Sequence, residues 1–538
     1  MPNLQSHLSF VLVMMLFAAT AKPAVSGPDS ADYAKTIHDA ALKLADPSEM
    51  TRQVAIIKLT RLPLETFPAL EAAVKLPDLP EAARAKLKEI VERERPWQPA
   101  LLRKVKIAEQ EHQWTSNVFL EAYEKSTHRN PKWDADAIDG IKKYFAITSG
   151  GLSSRAALEK AIAAGCDEPG VLLLEAEWLF SAGADSATVV QLAQRVHDAY
   201  VNQPPHPYQR ELSVLFYFAA LQQFAINDAK ARNLTHYDPR YSTTLKQLLM
   251  EESSIFPAMA KRRPPSSLLC TVALDIITDF SIYRFDLMEV YMRLEPSLEA
   301  ALPNDPGPLY VKGSVYVQWA WQARGSGLAA TVTEKGWKLM GERLGEAEVA
   351  LQKAYELDPK DPRAPTEMLT VVLGNSSPRE EMEKWFKRAM EADPQNFRAC
   401  ANKAYYLTPK WNGSEEEELA FANECYNSDN WGGSLPFVLQ EVHRGLADDS
   451  GAPETYYARP EVWKDIQREY EPFLQAEPDE RNTRSAYCYY ACRSGHWALA
   501  NKEFELLGAE VPLVYFNSAE QIKTFRAKAA AEASKGTP

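Results

Sequence analysis

The chain has 538 residues, 46% of them hydrophobic and 25% charged, which excludes a disordered or collagen-like polymer and leaves a globular or repeat protein. A formal net charge of −13 repels phosphate backbones and excludes nucleic acid from the expected partners. Six cysteines spread over this length exclude a disulfide scaffold, and buried thiols acting as small apolar groups are expected instead.

Residues 8–19, LSFVLVMMLFAA, are uncharged and apolar. The run is too short to cross a bilayer and matches the core of a signal peptide, and Ala19-Thr20-Ala21 supplies a small-residue cleavage pattern. No Lys or Arg precedes Leu8, which departs from the usual charged leader. No cysteine precedes Cys166, so a lipid-modified N-terminal cysteine is excluded. A signal peptide over 1–21 is expected, with export to the periplasm or the exterior and no membrane span after its removal.

Pro47, Pro63, Pro68, Pro77 and Pro80 cut residues 46–97 into short helical pieces. The pattern is similar to HEAT-type pairs, so helical hairpins are expected over 28–100. RERPWQPALLRK (93–104) marks a boundary. Residues 101–300 read as irregular α-helical repeats: 172–200 resembles a degraded helix pair with Gly183 at its turn, and proline-rich breaks fall at 204–207 and 264–265. In WDADAIDG (133–140), Asp134 and Asp136 fit two positions of a calcium loop. Asp139-Gly140 falls one residue late, however, and Phe145 stands where the bidentate glutamate belongs, so a helix start capped by Asp134 is expected. Lys261-Arg262-Arg263, just before Pro264-Pro265, reads as a solvated turn.

VYVQWAW (315–321) alternates like a strand but lies between helical hairpins, and reads as a helix buried on several sides. Beyond it a period emerges. Leu357-Asp358-Pro359 recurs 35 residues later as Ala392-Asp393-Pro394, placing Leu351 on Phe386 and Ala354 on Ala389. A second step of 35 places Phe421 in the slot of Phe386. Gly495, Trp497, Ala500, Phe504, Leu507 and Pro512 resemble the Gly, Tyr, Ala, Tyr/Phe, Ala and Pro positions of a tetratricopeptide repeat. The glycine opens the turn between two antiparallel helices, Ala500 lets them approach, and the rings fill the layer against the next pair. Cys488 falls in the small-residue slot of the first helix, and His496 reads as a solvated turn residue.

No metal-ligand spacing, nucleophile elbow or protease Cys/His signature is present. Gly325 and Gly327 follow no strand and precede no P-loop lysine. No catalytic residue, metal or cofactor is therefore expected. Ser414 should cap a helix whose first turn carries four glutamates, 415–418. Eight of the twelve tryptophans lie at or after Trp319, and most should serve interhelical packing. Trp411 differs, because TPKWNGS (408–414) is a loop where a ring gains little from a core. Beside Lys410 it could stack on a sugar or anchor a peptide.

Three segments, 319–344, 405–436 and 456–474 leading into the 493–508 motif, together resemble an uncharacterised bacterial family of exported tetratricopeptide-like proteins, a domain-of-unknown-function group. The likeness covers about residues 300–525. It implies helical repeats and export, and brings no activity, substrate or catalytic residue.

The expected fold is an all-α, right-handed α-solenoid of antiparallel helix pairs. It is tetratricopeptide-like over 301–525, HEAT-like or irregular before that, and ends in a flexible tail over 526–538. Such arrays present first-helix residues on a concave face that takes extended peptides. The repeat frame points Asn482, Ser485 and Tyr489 at that groove, with Arg398, Asn402 and Tyr405 nearby. The Lys/Asn clamp that some such proteins use for carboxyl termini is not reproduced. The expected function is a non-catalytic scaffold for a protein or peptide partner in the bacterial cell envelope. The alternative is an enzyme or glycan-binding protein whose site is assembled from the loops around Arg324, Lys410-Trp411 and Trp431.

Overall fold

The computed structural model describes residues 30–145, 152–181, 184–202, 206–232, 238–282, 286–327, 329–509 and 511–535. Among these there is no strand: the chain is all-α, a solenoid of helix pairs joined by short connections that make chain neighbours pack antiparallel. The leader expected over 1–21 and the turn residue Gly183 lie outside the described residues. Two compact units form. One combines the described residues up to Lys104 with those from Pro359 onward, and the other spans Val105–Asp358.

The repeated Asp-Pro of the sequence is a helix stop. Asp358 (φ −146°, ψ 88°) and Asp393 (φ −141°, ψ 99°) end their helices in the same extended conformation. Each still donates its backbone N–H four residues back, to the Ala354 carbonyl at 3.1 Å and the Ala389 carbonyl at 2.9 Å. The proline that follows lacks the next donor and forbids another helical turn. Glu477 before Pro478 repeats the geometry (φ −126°, ψ 70°), a third instance that the 35-residue step passes over.

In the unit containing residues 359–535, Arg363–Gly374 packs on its partner Arg379–Ala392 and also on Phe397–Tyr406, the first helix of the next pair. The rule continues through Val438–Asp449 and Pro460–Ala476. The ring layer anticipated by the register is present: Phe386 and Phe421 meet edge-on at 5.7 Å. Between them the buried Lys403 ammonium lies 4.4 Å and 4.7 Å from the two ring centroids and pairs with Glu383 at 2.7 Å. In the last pair Ala500 is fully buried and Phe504 and Leu507 nearly so. Gly495 adopts φ +78° at the turn, where the His496 N–H reaches back to the Ala491 carbonyl at 2.9 Å. An L side chain is strained in that conformation, so Gly495→Ala is expected to cost about 1 kcal/mol in a urea titration. An unchanged midpoint would refute this role of the turn. His496 is exposed and stacks on Trp463 at 4.0 Å. All six cysteines are free and buried, and the Cys488 thiol donates to the Ala500 carbonyl at 3.6 Å.

The segment 526–535, expected as tail, is instead the second half of a helix, Ala519–Lys535. Its alanine-rich sequence favours helix. Phe525 packs against Trp497 and Phe516, and Ala529 is fully buried.

The described residues up to Lys104 fold into the same unit. The prolines do separate short helices, Ser30–Lys43, Glu49–Thr60, Phe67–Ala73 and Glu81–Glu94, and Glu49–Thr60 packs against Pro460–Ala476. Four cations fasten them. Arg61 donates to the Trp431 carbonyl and to Glu477, both at 3.3 Å, and lies over the Phe473 ring at 4.8 Å. Lys86 reaches Asp429 at 3.3 Å, Arg93 the Ser428 carbonyl at 2.9 Å, and Lys104 Asp393 at 2.9 Å.

In the other unit, VYVQWAW belongs to the helix Gly307–Arg324, with Val315, Val317 and Ala320 buried. That helix packs against Glu334–Leu357 and Ser266–Ile282. Trp133, not Asp134, precedes the helix Asp134–Tyr144. The Asp134 carboxylate turns back instead, accepting from the Asn130 N–H at 3.0 Å and the Tyr123 hydroxyl at 2.8 Å.

Candidate partner-binding surface

Helix Phe397–Tyr406 ends in a coiled loop that returns on itself. The Asn412 N–H donates to the Tyr406 carbonyl at 3.2 Å and the Gly413 N–H to the Thr408 carbonyl at 3.3 Å. A methyl group at Gly413 would overlap the Leu407 carbonyl, so only glycine lets the loop close. Ser414 then caps Glu415–Asn427 by accepting from the Glu417 N–H at 3.2 Å, as its sequence position implied.

This loop brings Tyr405, Lys410 and Trp411 together. Trp411 meets Tyr405 edge-on at 6.2 Å, and the Lys410 ammonium lies 4.9 Å from the Tyr405 ring and 3.1 Å from Asp449. Tyr405 is 44% exposed, unusual for a ring on a packed helix. Glu418, the last of the four glutamates in that first turn, is buried where its neighbours are solvated, 4% exposed. Burial pushes its carboxyl up to about 7 against the pull of Lys410. A raised carboxyl stabilises the fold below its unfolded value and loses that contribution as pH climbs toward 7. Glu418→Gln should therefore raise the urea midpoint at pH 8 and leave it nearly unchanged at pH 5. Equal gains at both pH values would contradict this account.

The other residues drawn from the repeat frame divide into two kinds. Arg398 pairs with Glu367 at 2.7 Å and Asn402 donates to the Thr366 carbonyl at 3.3 Å, so both tie one first helix to the preceding one. Ser485 is fully buried and donates to the Pro512 carbonyl at 2.6 Å. Asn482 and Tyr489 are half-buried. Tyr489 sits among Tyr490, Tyr515 and Phe516, with the Arg493 guanidinium 5.8 Å from its ring.

Beneath Tyr489 lies a buried polar hub that the register did not reveal. The Gln440 amide donates to the Tyr490 hydroxyl at 2.6 Å and accepts from Tyr470 and Tyr515, each at 3.1 Å. Its backbone N–H meets Glu469 at 3.0 Å. Burial raises all three tyrosine hydroxyls, keeping them protonated. His443, 3% exposed, similarly lies between Tyr456 at 2.9 Å and Asp465 at 3.1 Å. These contacts fix helices.

Trp431 is not a surface group, and Arg324 is half-buried. Trp431 is 0% exposed, enclosed by Tyr426, Phe437 and Phe473. Arg324 belongs to the other unit, where its guanidinium donates to the Gly325 and Gly327 carbonyls at 3.0 Å and lies between Trp321 and Trp337. The Gly-x-Gly segment thus holds an arginine. Among the described residues, no three His, Cys, Asp or Glu side chains are placed to hold a metal ion, and no helix is long and apolar enough to cross a membrane.

No family model matches this chain, and no curated protein matches it in sequence. Among solved structures, the human IFIT1 dimer with m7Gppp-AAAA is similar at 9% identity and a TM-score of 0.34, over 91% of this chain and 97% of that one. Naa15/Naa10 bound to HypK-THB is similar at 12% identity and a TM-score of 0.26, over 99% of this chain and 98% of that one. Likeness this distant carries no functional argument.

Proposed function

We propose that the chain is a non-catalytic helical-repeat scaffold that binds a protein or peptide partner, through a surface centred on Tyr405, Lys410 and Trp411. The observation that carries this reading is the loop of 407–413, closed by Gly413 so that the exposed Tyr405 ring, the Lys410 ammonium and the half-buried Trp411 ring come together. Aromatic anchors with a nearby charge are what protein interfaces use most heavily. The leader-like segment 8–21 and the resemblance to exported bacterial proteins support the cell envelope as its location. A site assembled from several tryptophan-rich loops is not favoured, because Trp431 is enclosed and Arg324 is held by its own loop.

The test is photo-crosslinking from position 405 or 411 in a native envelope extract, with identification of the captured chain. A Tyr405→Ala/Trp411→Ala double variant should lose that partner while keeping its helical circular dichroism. Capture that persists undiminished in the double variant would refute the surface.

A further inference from the structure

The loop that gathers Tyr405, Lys410 and Trp411 also contains Asn412-Gly413, the only Asn-Gly pair in the chain. Asn412 is exposed, lies in a turn and carries no side-chain hydrogen bond among the described residues. Other asparagines of this unit are tied down. The Asn396 amide donates to the Thr366 hydroxyl at 2.7 Å, Asn402 to the Thr366 carbonyl at 3.3 Å and Asn430 to the Pro394 carbonyl at 2.9 Å.

Covalent geometry keeps every asparagine Cγ within reach of the next residue's backbone nitrogen, and attack by that nitrogen closes a five-membered ring. A bulky following side chain and a rigid backbone ordinarily oppose the closure. Glycine removes the first obstacle and loosens the second. At Asn412 the remaining restraint is a pair of hydrogen bonds, from the Asn412 N–H to the Tyr406 carbonyl at 3.2 Å and from the Gly413 N–H to the Thr408 carbonyl at 3.3 Å. Both lie at or past the long end of the N–H···O range. Exposed loops are where local opening costs least, and opening the second bond releases the Gly413 nitrogen to react.

We propose that Asn412 is a site of spontaneous deamidation that ages the surface around it. The Gly413 nitrogen gives its proton to solvent and bonds to the Asn412 side-chain Cγ, and the side-chain nitrogen leaves as ammonia. Water then opens the cyclic imide at either carbonyl. One opening leaves an aspartate on the ordinary main chain, and the other an isoaspartate whose main chain runs through the former side chain. The net change is amide and water to carboxylate and ammonium, with no oxidant and no cofactor.

Both products act on the loop. Each places a carboxylate two residues after Lys410, in competition with Asp449 for its ammonium. The iso form also inserts a methylene between the two N–H groups that close the loop. Gly413 already lies so near the Leu407 carbonyl that a methyl group would overlap it, so the lengthened chain cannot keep both bonds. The loop opens and Trp411 leaves Tyr405. The conversion stands on the loop's own chemistry, whereas its effect on binding rests on the partner surface proposed above.

The test holds the full chain at pH 8 for several weeks and follows its peptides by mass, with the two acid isomers separated by chromatography. A urea-unfolded sample and an Asn412→Gln variant run beside it. Asn412 is expected to convert ahead of Asn375, Asn427 and Asn517, each of which precedes a serine. Conversion should be several-fold slower at pH 6, where fewer backbone nitrogens lose their proton, and faster in urea, where nothing holds the Gly413 N–H. Amide hydrogen exchange over 407–414 should quicken in the aged parent and stay unchanged in the aged Asn412→Gln variant. The proposal is overturned if Asn412 stays intact in the folded chain while the unfolded chain converts, or if the converted chain keeps the exchange pattern of the fresh one. Photo-crosslinking from position 405 then compares fresh and aged chains, and a loss of capture is expected on ageing. A converted, loosened loop that captures its partner undiminished would overturn the effect on binding, and the surface with it, while leaving the conversion established.

Discussion

Trp431→Ala is expected to destabilise its unit by about 4 kcal/mol, the range for emptying a large buried aromatic site. The ring is fully enclosed and touches three other aromatic residues. Its carbonyl also receives the Arg61 guanidinium, so the loop that carries it helps hold the helix Glu49–Thr60. Gly432 and Gly433 prevent an easy collapse into the void, because a methyl on either would press on Gln395, and on Gly432 also on the Thr60 carbonyl. Trp411→Ala removes the same side chain from an open loop and should cost less than about 1 kcal/mol. Urea denaturation of both variants checks the contrast. Comparable losses at the two positions would mean that Trp431 is not core.

Gln440→Leu is expected to cost about 3 kcal/mol, although it keeps the side-chain volume. The change strips hydrogen-bond partners from the Tyr470, Tyr490 and Tyr515 hydroxyls. Tyr470 and Tyr490 are enclosed and cannot turn to water, and each orphaned buried group costs about 1–3 kcal/mol. Removing the polar partners as well should restore much of the loss, because an apolar set of the same shape is nearly neutral. The Gln440→Leu/Tyr470→Phe/Tyr490→Phe triple variant should therefore be more stable than Gln440→Leu alone. A triple variant weaker than the single one would show that the tyrosines serve some other contact.

What the sequence disclosed is what repeats locally. Gly495, Ala500 and Phe504 could be placed because their offsets encode one turn and two helix faces, all within a dozen residues. The Asp358 and Asp393 stops were visible for the same reason. Trp431 was not, because a tryptophan before two glycines has no periodicity, and its burial comes from the helices Glu49–Thr60 and Pro460–Ala476, remote in the chain. Gln440 has no signal at all, since an amide on an amphipathic helix reads as solvated. Of the candidate surface, the loop residues Lys410 and Trp411 were legible because glycine and serine punctuate that loop, and Tyr405 came from the repeat frame of the first helix. The first-helix residues were harder, because the same face serves both groove and repeat-to-repeat packing, and Ser485 and Arg398 took the second role.

The packing of Glu49–Thr60 against Pro460–Ala476 bears on how the chain is made. On a ribosome, Glu49–Thr60 emerges long before Pro460–Ala476, its packing surface, has been synthesised. Ile56, Ile57 and Leu59, fully or nearly buried in the finished protein, must meanwhile remain uncovered or be held by a chaperone. Translation therefore leaves that apolar face without its partner until Pro460–Ala476 has been made.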